Sequence, residues 1–437
     1  MEYIFIPVLC LLHSTERIWR RSSMKRIQLF VLLYIIFLGF EISAAMDFGA
    51  QTGFNFDWWD DNEHNRARQF LVPITLEARY KDFSVKLLTG ETYTQVNPTG
   101  SPSRSLTHVL DTKVNFSYEI FDKLPLDVLI GLDFNLPTGK TNLRAKDMVL
   151  LMDPDLITIN KFGEGFNINP TVSFAKEWRK WVLGMGIGYI WRGKYDFGYI
   201  YQGASLSTQM KDYDPGNIFN LTAEVRYDFS PHWNTRLFGN YVWYEKDKWI
   251  QVDNDVWGGT TKTKNSFQDG KLWLSGLGFQ YKQKKWDADL TAKGIFRDKN
   301  KYEYRENWYY ITNGGWDAYL TDRPFLNTER KNSHGDEWVA DLSLRYFLND
   351  KTTIKSCLQG RYITKNNYPS FSPSYVGCRE KFSIGLGLTR ILCPHLEGEL
   401  YVKGFHMEDE INRGYPEYRN EINYRGFSSR ILLTGRF

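Results

Sequence analysis

The sequence has little net charge, little cysteine and almost no long apolar runs. Its 55 Lys and Arg residues nearly balance 51 Asp and Glu residues, which leaves a net charge of +4. No basic run forms a stripe for a polyanion, so we predict no nucleic-acid partner. Only one apolar segment approaches membrane length. The mean hydropathy of -0.46 would suit a soluble protein of two or three domains.

The short motifs of common enzymes are also absent. The chain contains no G-x-S-x-G, H-E-x-x-H, P-loop or C-x-x-C sequence, and its 7 His residues are scattered. His334 beside Asp336, or His108 near Asp111, is the only hint of an acid–base pair. The acidic stretch 57–63 has oxygen ligands for Ca²⁺ but lacks the spacing of a known calcium loop. We therefore predict no enzyme, no cofactor and no metal site.

Aromatic residues, in contrast, are abundant. They make up 16% of the chain, with 27 Tyr, 29 Phe and 15 Trp, alongside 35 Gly. This composition favours a β-rich chain with aromatic girdles over a helical enzyme. Aromatics also flank the predicted tight turns, as Tyr80 and Phe83 do at one turn and Trp178 and Trp181 at another. An interfacial girdle belongs at such positions.

The one long apolar segment lies near the start of the chain. Lys25 and Arg26 precede the apolar run 27–40, and the small residues Ser43–Ala45 follow it. A basic region, an apolar region and small residues before a cleavage point describe a secretory signal peptide. The alternative is a membrane anchor helix, but the run is short for spanning a bilayer.

This segment divides the chain into two parts. Residues 1–45 are predicted to be an upstream extension plus the signal peptide, with the true start at Met24 and cleavage near Ala45. Residues 46–437 form the mature protein. Export would leave three cysteines in an oxidising compartment: Cys357, Cys378 and Cys393. Whether the first two of these pair stays open, because their register is uncertain.

From Met46 onward, apolar and polar residues alternate, with no helical stretch of any length. In Leu110–Ile120 one face is mostly apolar and the other is polar. Tight links alternate strictly with long polar ones: 59–67, 95–105, 137–165, 194–214, 246–267, 298–333, 365–376 and 407–421. About 16 strands result, with 14 or 18 as alternatives: 47–58, 68–80, 82–94, 106–120, 125–136, 166–178, 181–193, 217–229, 233–245, 269–281, 286–297, 336–348, 352–364, 377–391, 396–406 and 424–437.

The last strand carries a family resemblance. In 424–437 one face is largely apolar, the other is mostly polar or charged, and the chain stops on Phe437. This ending resembles the C-terminal strand of bacterial outer-membrane β-barrels. The resemblance implies an all-β, antiparallel up-and-down transmembrane barrel in the outer membrane, in contact with its lipid. It also implies that the barrel assembly machinery reads Phe437 as a signal and that the last strand closes against the first. A homotrimer is one assembly open to such a barrel.

Alternation assigns charges of both signs to the lumen of this barrel. Rings of fixed charge in a pore select solutes by charge and dipole. The alternative is that these charges only neutralise one another across the wall. The predicted pore-lining residues are Asp111, Lys113, Asp133, Lys140, Arg144, Asp153, Arg192, Glu224, Arg226, Arg236, Asp289, Arg297, Arg345, Arg361 and Arg430.

The third long link, 137–165, is too apolar for a solvated loop. Its runs 148–152 and 156–159 need burial. General porins fold their third loop into the lumen, and the position matches. We predict that 137–165 packs inward and narrows the channel, with Lys146, Asp147 and Asp155 among the residues near the passage. A β-hairpin that extends the wall above the membrane is the alternative.

Function follows from this architecture. The segment Gly131–Lys140 resembles outer-membrane transporter-like barrels of the kind associated with uptake of aromatic or fatty compounds. We predict a channel for diffusion or uptake of small solutes. The alternative is a surface receptor or structural barrel that acts through external loops such as the aromatic-rich 298–333. An outer-membrane hydrolase is the third candidate.

Overall fold

A computed structural model describes residues 46–202, 206–255, 260–312, 315–320, 325–327, 335–413 and 419–437. The predicted extension and signal peptide, 1–45, lie outside these residues, as do His334 and parts of the link 298–333. The division of the chain at the cleavage site therefore stays a prediction. Within the described residues, no helix has the length and apolar character needed to cross a membrane.

The described chain is almost entirely β-structure. One short 3₁₀ helix covers Ala145–Leu150. The strands are β1 Met46–Asp61, β2 Arg66–Tyr80, β3 Phe83–Asn97, β4 Arg104–Val109, β5 Thr112–Ile120, β6 Asp127–Leu136, β7 Asn167–Trp178, β8 Trp181–Arg192, β9 Gly198–Gln202, β10 Leu206–Asp214, β11 Ile218–Asp228, β12 Trp233–Tyr244, β13 Asp247–Asp255, β14 Thr260–Gln268, β15 Leu272–Lys282, β16 Trp286–Arg297, β17 Lys301–Thr312, β18 Gly315–Leu320, β19 Phe325–Asn327, β20 Glu337–Asn349, β21 Thr352–Ile363, β22 Arg379–Cys393, β23 Leu396–Asp409 and β24 Ile422–Arg436.

Seventeen of these strands form one closed antiparallel barrel. β4 and β5 pair with successive parts of β3 and together occupy one strand position of the barrel, which we call a stave. The barrel therefore has 16 staves, as predicted. β24 pairs with β1 from Gly49 opposite Arg436 to Asp61 opposite Tyr424, which closes the cylinder. Closure matters because a sheet edge in lipid would leave unpaired backbone N–H and C=O groups.

The outer wall is a continuous apolar surface. In β8 the odd-numbered residues from Leu183 to Trp191 are all exposed, whereas Gly186 and Gly188 between them are buried. A Cβ at Gly186 would lie 2.7 Å from the Thr222 hydroxyl, so glycine lets the inner side chains pack here. Exposed apolar residues continue around the wall on β15, β22 and β24. Such a surface is stable in lipid and unfavourable in water.

The last strand has the two faces that its sequence predicts. Phe427, Ile431 and Leu433 are exposed on the outer wall. On the opposite face, Arg430 pairs with the Glu399 carboxylate at 2.5 Å. Phe437 and Phe48 exchange backbone hydrogen bonds of 2.8 and 2.9 Å at the closing seam.

Several predicted boundaries are wrong. The link 59–67 shrinks to residues 62–65, because β1 and β2 extend beyond the predicted ends. The strand 106–120 breaks at Leu110 and Asp111. Asp111 leaves the ladder because its carboxylate accepts backbone N–H groups from another segment.

The largest correction concerns the links 194–214, 246–267 and 298–333. They contain strands β9, β10, β13, β14, β17, β18 and β19, which form a second, 7-stranded sheet. It continues from the ends of barrel strands opposite the tight turns, so we call it the external sheet. Its strands carry polar residues on both faces, which hides the alternation that revealed the barrel strands.

The cysteines of the described chain are unpaired. Cys357 lies opposite Gly385 in the β21–β22 ladder, whereas Cys378 precedes β22. The Cys357 sulfur contacts the Tyr401 hydroxyl at 2.7 Å.

Candidate functional site

The segment 137–166, which we call the inward loop, crosses the barrel. It leaves the wall between β6 and β7 and reaches side chains of β1, β2, β21 and β22. The Thr158 N–H donates to the Asp57 carboxylate of β1 at 2.8 Å. Gln69 of β2 both accepts from the Ile159 N–H and donates to the Ile159 carbonyl, each at 2.8 Å. Gln69 is fully buried, so this backbone pairing is shielded from water.

The apolar runs of the inward loop are buried, as predicted. Leu150, Leu156 and Phe162 are between 0% and 5% exposed and belong to one cluster with residues of the wall. Their wall partners include Trp59 and Met407. The predicted inward packing is confirmed by these contacts. The alternative β-hairpin is wrong, because the segment forms a 3₁₀ helix and irregular backbone instead.

Two loop carboxylates meet basic residues of the far wall. Arg379 of β22 is only 3% exposed and donates to Asp153 at 2.6 Å and to Asp155 at 3.0 Å. Its other nitrogen donates to Asp409 of β23 at 2.7 Å. Arg361 of β21 also donates to Asp155. We call Asp153, Asp155, Arg361, Arg379 and Asp409 the latch.

Most of the charged groups in the latch have hydrogen-bond partners. Arg361 also donates to Glu337 of β20 at 2.9 Å, and the Lys381 ammonium donates to the Asp155 carbonyl. Buried charges remain stable only when paired and hydrogen-bonded. The latch therefore fixes the loop in one position across the barrel.

The two ends of the inward loop are joined by Asp111. Its carboxylate accepts from the Gly139 N–H at 2.7 Å and from the Glu164 N–H at 2.6 Å. The Asn135 amide donates to the same carboxylate at 2.8 Å. The sequence predicts Asp111 as a pore-lining charge. In the structure its hydrogen bonds tie together the two ends of the loop.

A second group of charges lies on the wall beside the loop. Arg192 of β8 is 3.7 Å from the Asp247 carboxylate, which also accepts from the Gly216 N–H at 2.7 Å. The Tyr213 hydroxyl donates to Asp247 as well. Burial and the nearby negative charge of Asp247 raise the pKa of Tyr213. Burial also raises the pKa of Tyr195 to about 12.

The loop and the wall interact electrostatically at this place. Burial opposes the ionisation of Glu164, but Lys161, Lys113 and Arg192 together hold its pKa below the usual value. Lys161 lies 3.0 Å from the Glu164 carboxylate. We call one group of six residues the mouth group: Arg192 and Arg297 of the barrel wall, Asp247 of β13, Asp269 of the link before β15, and Lys161 and Glu164 of the loop.

Asp269 is the carboxyl group of the mouth group whose pKa is raised. It lies between β14 and β15 and is solvent-exposed. The surrounding protein displaces bulk water and so raises the pKa of Asp269; Asp247 adds to the rise. Arg297, Arg192 and Lys161 oppose the shift without cancelling it.

The remaining predicted charges form pairs along the inner wall. Arg236 is 3.4 Å from Asp289. Asp133 accepts from two asparagine amides, those of Asn115 and Asn169. The other pairs are Arg226 with Asp228 at 3.3 Å, Arg345 with Asp287 at 2.8 Å and Arg430 with Glu399 at 2.5 Å. The arginines of these pairs and their carboxylate partners neutralise one another along the inner wall, whereas Asp133 is hydrogen-bonded only to neutral amides.

Three predicted residues stand apart from these groups. Arg144 is paired with Asp147 within the inward loop at 2.7 Å. Lys140 follows Gly139 at the base of the loop. Glu224 is exposed on β11 and has no ion pair within the described chain.

The sequence analysis missed Arg379, Asp409 and Gln69. Lys381 reaches the Asp155 carbonyl inside the barrel, and alternation would also point Arg379 inward, two residues earlier. No local signal identifies Asp409 or Gln69 as loop contacts, because their partners lie far away in the chain. Within the described residues, no group of three or more His, Cys, Asp or Glu side chains could hold a metal ion. In the stretch 57–63, Asp57 and Asp61 instead accept backbone N–H groups.

Comparisons with known proteins add likeness at the level of the fold. No protein-family model and no curated protein matches the chain. Among solved structures, the Pseudomonas putida toluene transporter TodX is 10% identical, covers 90% of each chain and has a TM-score of 0.41. Pseudomonas aeruginosa OccK7 is 10% identical over 90% of this chain and 99% of its own, with a TM-score of 0.42. The CymD monoaromatic hydrocarbon channel is 8% identical over 89% and 88%, with a TM-score of 0.39.

The architecture of the barrel indicates the membrane in which the protein resides. A closed sheet with an apolar outer wall, charged inner residues and tight turns at one end is the architecture of proteins that span the bacterial outer membrane. The described chain is an integral outer-membrane β-barrel.

Proposed function

We propose that this protein is an outer-membrane channel for the diffusion or uptake of small solutes. The observation that carries the proposal is the inward loop, which crosses the barrel and is latched to the far wall. A barrel of 16 staves encloses more space than its side chains fill. A loop fixed across that space narrows it without requiring any other plug.

The passage is proposed to run between the inward loop and the wall strands β8, β12 and β16. The mouth group lies on this side, with Lys161 and Glu164 facing Arg192 and Asp269. Because both signs are present, their fields partly cancel for a monovalent ion and act mainly on dipoles. The channel should therefore transmit small polar solutes with weak charge selectivity, and we assign the protein no enzymatic role.

Liposome swelling and planar-bilayer recording test the channel. The purified mature barrel should admit small sugars and amino acids into liposomes and conduct ions with a reversal potential near zero under a salt gradient. Empty liposomes carried through the same detergent steps are the control. A sealed barrel would contradict the proposal and favour the receptor alternative, which the external sheet supports. A strong anion or cation preference would contradict the weak selectivity.

The raised pKa of Asp269 predicts a change of selectivity as the pH falls. Asp269 gains its proton at a higher pH than an ordinary carboxyl group, and its negative charge is then lost. The reversal potential of the wild type should therefore shift toward anion preference on acidification. Asp269→Asn should show the shifted value at neutral pH and lose this step. An unchanged profile in Asp269→Asn would exclude the assignment.

Two partners also remain proposals. The assembly machinery is proposed to recognise β24 together with Phe437, a residue that is 60% exposed. A homotrimer is proposed on the sequence resemblance alone, and the mass of the detergent-solubilised complex would test it.

A further inference from the structure

One side of the inner wall carries a strip of neutral polar residues. The strand registers align three rows of inward-facing residues between β5 and β12. Only Asp133 among them carries a charge. We call these residues the neutral strip: Asn115, Asp133 and Asn169 in one row, Ser117, Gly131, Thr171, Gly188 and Asn220 in the next, and Ser173, Gly186, Thr222 and Asn240 in the third.

The neutral strip follows the mouth group on the proposed passage. Arg192 of the mouth group lies further from the tight turn of β8 than Gly188 does, and Glu224 borders the other end of the strip on β11. On β21 and β23, by contrast, the inner wall is charged, and Lys355 donates to Glu399 at 2.6 Å. A solute that passes Arg192 along β8 therefore meets neutral groups before it meets further charge.

Glycines give this part of the wall its shape. A Cβ at Gly131 would lie 2.4 Å from the Thr171 hydroxyl, and a Cβ at Gly186 would lie 3.1 Å from the Ser173 hydroxyl. The hydroxyl groups therefore occupy the space that larger side chains at these two positions would fill. Neither hydroxyl is hydrogen-bonded to another residue of the described chain. The inner face of β6 to β8 is thus shallow and lined with available hydroxyl groups.

Two amides of the neutral strip also lack partners among the described residues. The amide oxygens of Asn220 and Asn240 are buried and accept no hydrogen bond, although both residues are partly exposed. This leaves the amide nitrogen of each as the donor available to a solute. Polar groups without a protein partner bind water or a ligand.

Asp133 supplies the strip with an acceptor. One carboxylate oxygen accepts from the Asn115 amide and the other from the Asn169 amide. Each carboxylate oxygen can accept a further hydrogen bond. Within the described residues Asp133 has no ion pair, so its free positions are not taken by a cation of the wall.

These groups match the chemistry of a sugar. A solute hydroxyl can both donate and accept, so it can bind the amide nitrogens, the wall hydroxyls and the Asp133 carboxylate alike. A zwitterion or an ion finds little opposite charge here to compensate for lost hydration.

We propose that the neutral strip binds uncharged polyhydroxylated solutes weakly and so makes the channel favour sugars and polyols over zwitterions. The proposal rests on the proposed channel function and on its passage along β8 and β12.

Uptake of two labelled five-carbon solutes into proteoliposomes tests the strip. Arabinose is a neutral polyol, whereas valine is a zwitterion with an apolar side chain. The wild type should admit arabinose faster than valine. Asn220→Leu with Asn240→Leu roughly keeps side-chain size but removes both amides. The ratio of arabinose to valine uptake should then fall about five-fold, the factor that corresponds to about one net hydrogen bond.

A second double variant provides a matched control. The Asn234 amide donates to the Gln280 amide oxygen at 3.0 Å, near the tight turn and outside the strip. Asn234→Leu with Gln280→Leu also removes two lumen amides and should keep the wild-type ratio. An unchanged ratio in the strip variant, or equal losses in both variants, would overturn the proposal. A wild type that admits neither solute would overturn the channel function itself.

A charged variant tests the strip without apolar substitutions. Asn220→Asp with Asn240→Asp places two negative charges on the neutral strip. It should lower the arabinose-to-valine ratio and shift the reversal potential toward cation preference. An unchanged ratio and reversal potential would show that solutes do not pass along the strip. Heat-dependent gel mobility verifies that each variant is folded.

Discussion

Deletion of residues 143–160, with Asn142 joined to Lys161 by a short Gly-Ser linker, is expected to raise single-channel conductance several-fold. These residues contain the buried apolar runs and the two latch carboxylates that belong to the loop, so the deletion removes the part of the loop that crosses the barrel. It leaves the tie between Asp111 and the ends of the loop intact. Without the loop, the inner side chains of 16 staves do not fill the lumen. Planar-bilayer recording measures the change.

A tethered loop is the matched control for the deletion. Residues 57 and 158 are already in contact, through the Asp57 carboxylate and the Thr158 amide. Asp57→Cys with Thr158→Cys, in a background without the native cysteines, should form a disulfide and retain the wild-type conductance. Conductance that rises in the tethered protein, or stays unchanged in the deletion, would show that the loop does not limit the passage.

The barrel could be predicted from the sequence because lipid places the same physical requirement on every barrel strand. Each strand must present apolar residues to the outside and closes its backbone hydrogen bonds with two neighbours. The alternation in Leu110–Ile120 and in β24 is a direct result, and so is the change between tight and long links, to which the four-residue link 62–65 is an exception. Even so, the break at Leu110 and Asp111 could not be predicted from the sequence, because it arises from a contact with the distant residues Gly139 and Glu164.

The external sheet escaped prediction for the opposite reason. Above the membrane both faces of a strand meet water or polar groups, so β13 carries Lys248 and Gln251 on opposite faces without an apolar contrast. Two-sided polar strands give no period to detect. The apolar run 148–152 must be buried, and this requirement did predict that the inward loop packs inside the barrel. Its partners could not be named, because Arg379 lies more than two hundred residues from Asp153 and only the closed barrel brings them together.

Arg379→Met is expected to loosen the inward loop more than any other single substitution. The side chain is 3% exposed and serves three carboxylates, those of Asp153, Asp155 and Asp409. Removing one partner of a buried ion pair costs about 3–5 kcal/mol, because the remaining charges stay buried without compensation. The loop should therefore leave the far wall for part of the time. Bilayer recordings should show a larger, fluctuating conductance, and added protease should cleave within 143–160.

The cause of this effect can be separated from a general loss of charge. Arg345→Met removes an arginine that pairs with Asp287 on the inner wall and touches no loop residue, so its conductance should stay steady. Adding Asp153→Asn and Asp155→Asn to Arg379→Met removes the uncompensated charge on the loop and should partly restore the quiet, smaller conductance. The conductance of the triple variant could fluctuate as much as that of Arg379→Met, or the conductance of Arg345→Met could fluctuate equally. Either result would show that the latch does not hold the loop. Restoration by the two amides would show that burial of unpaired carboxylate, rather than loss of packing, drives the loop away from the wall.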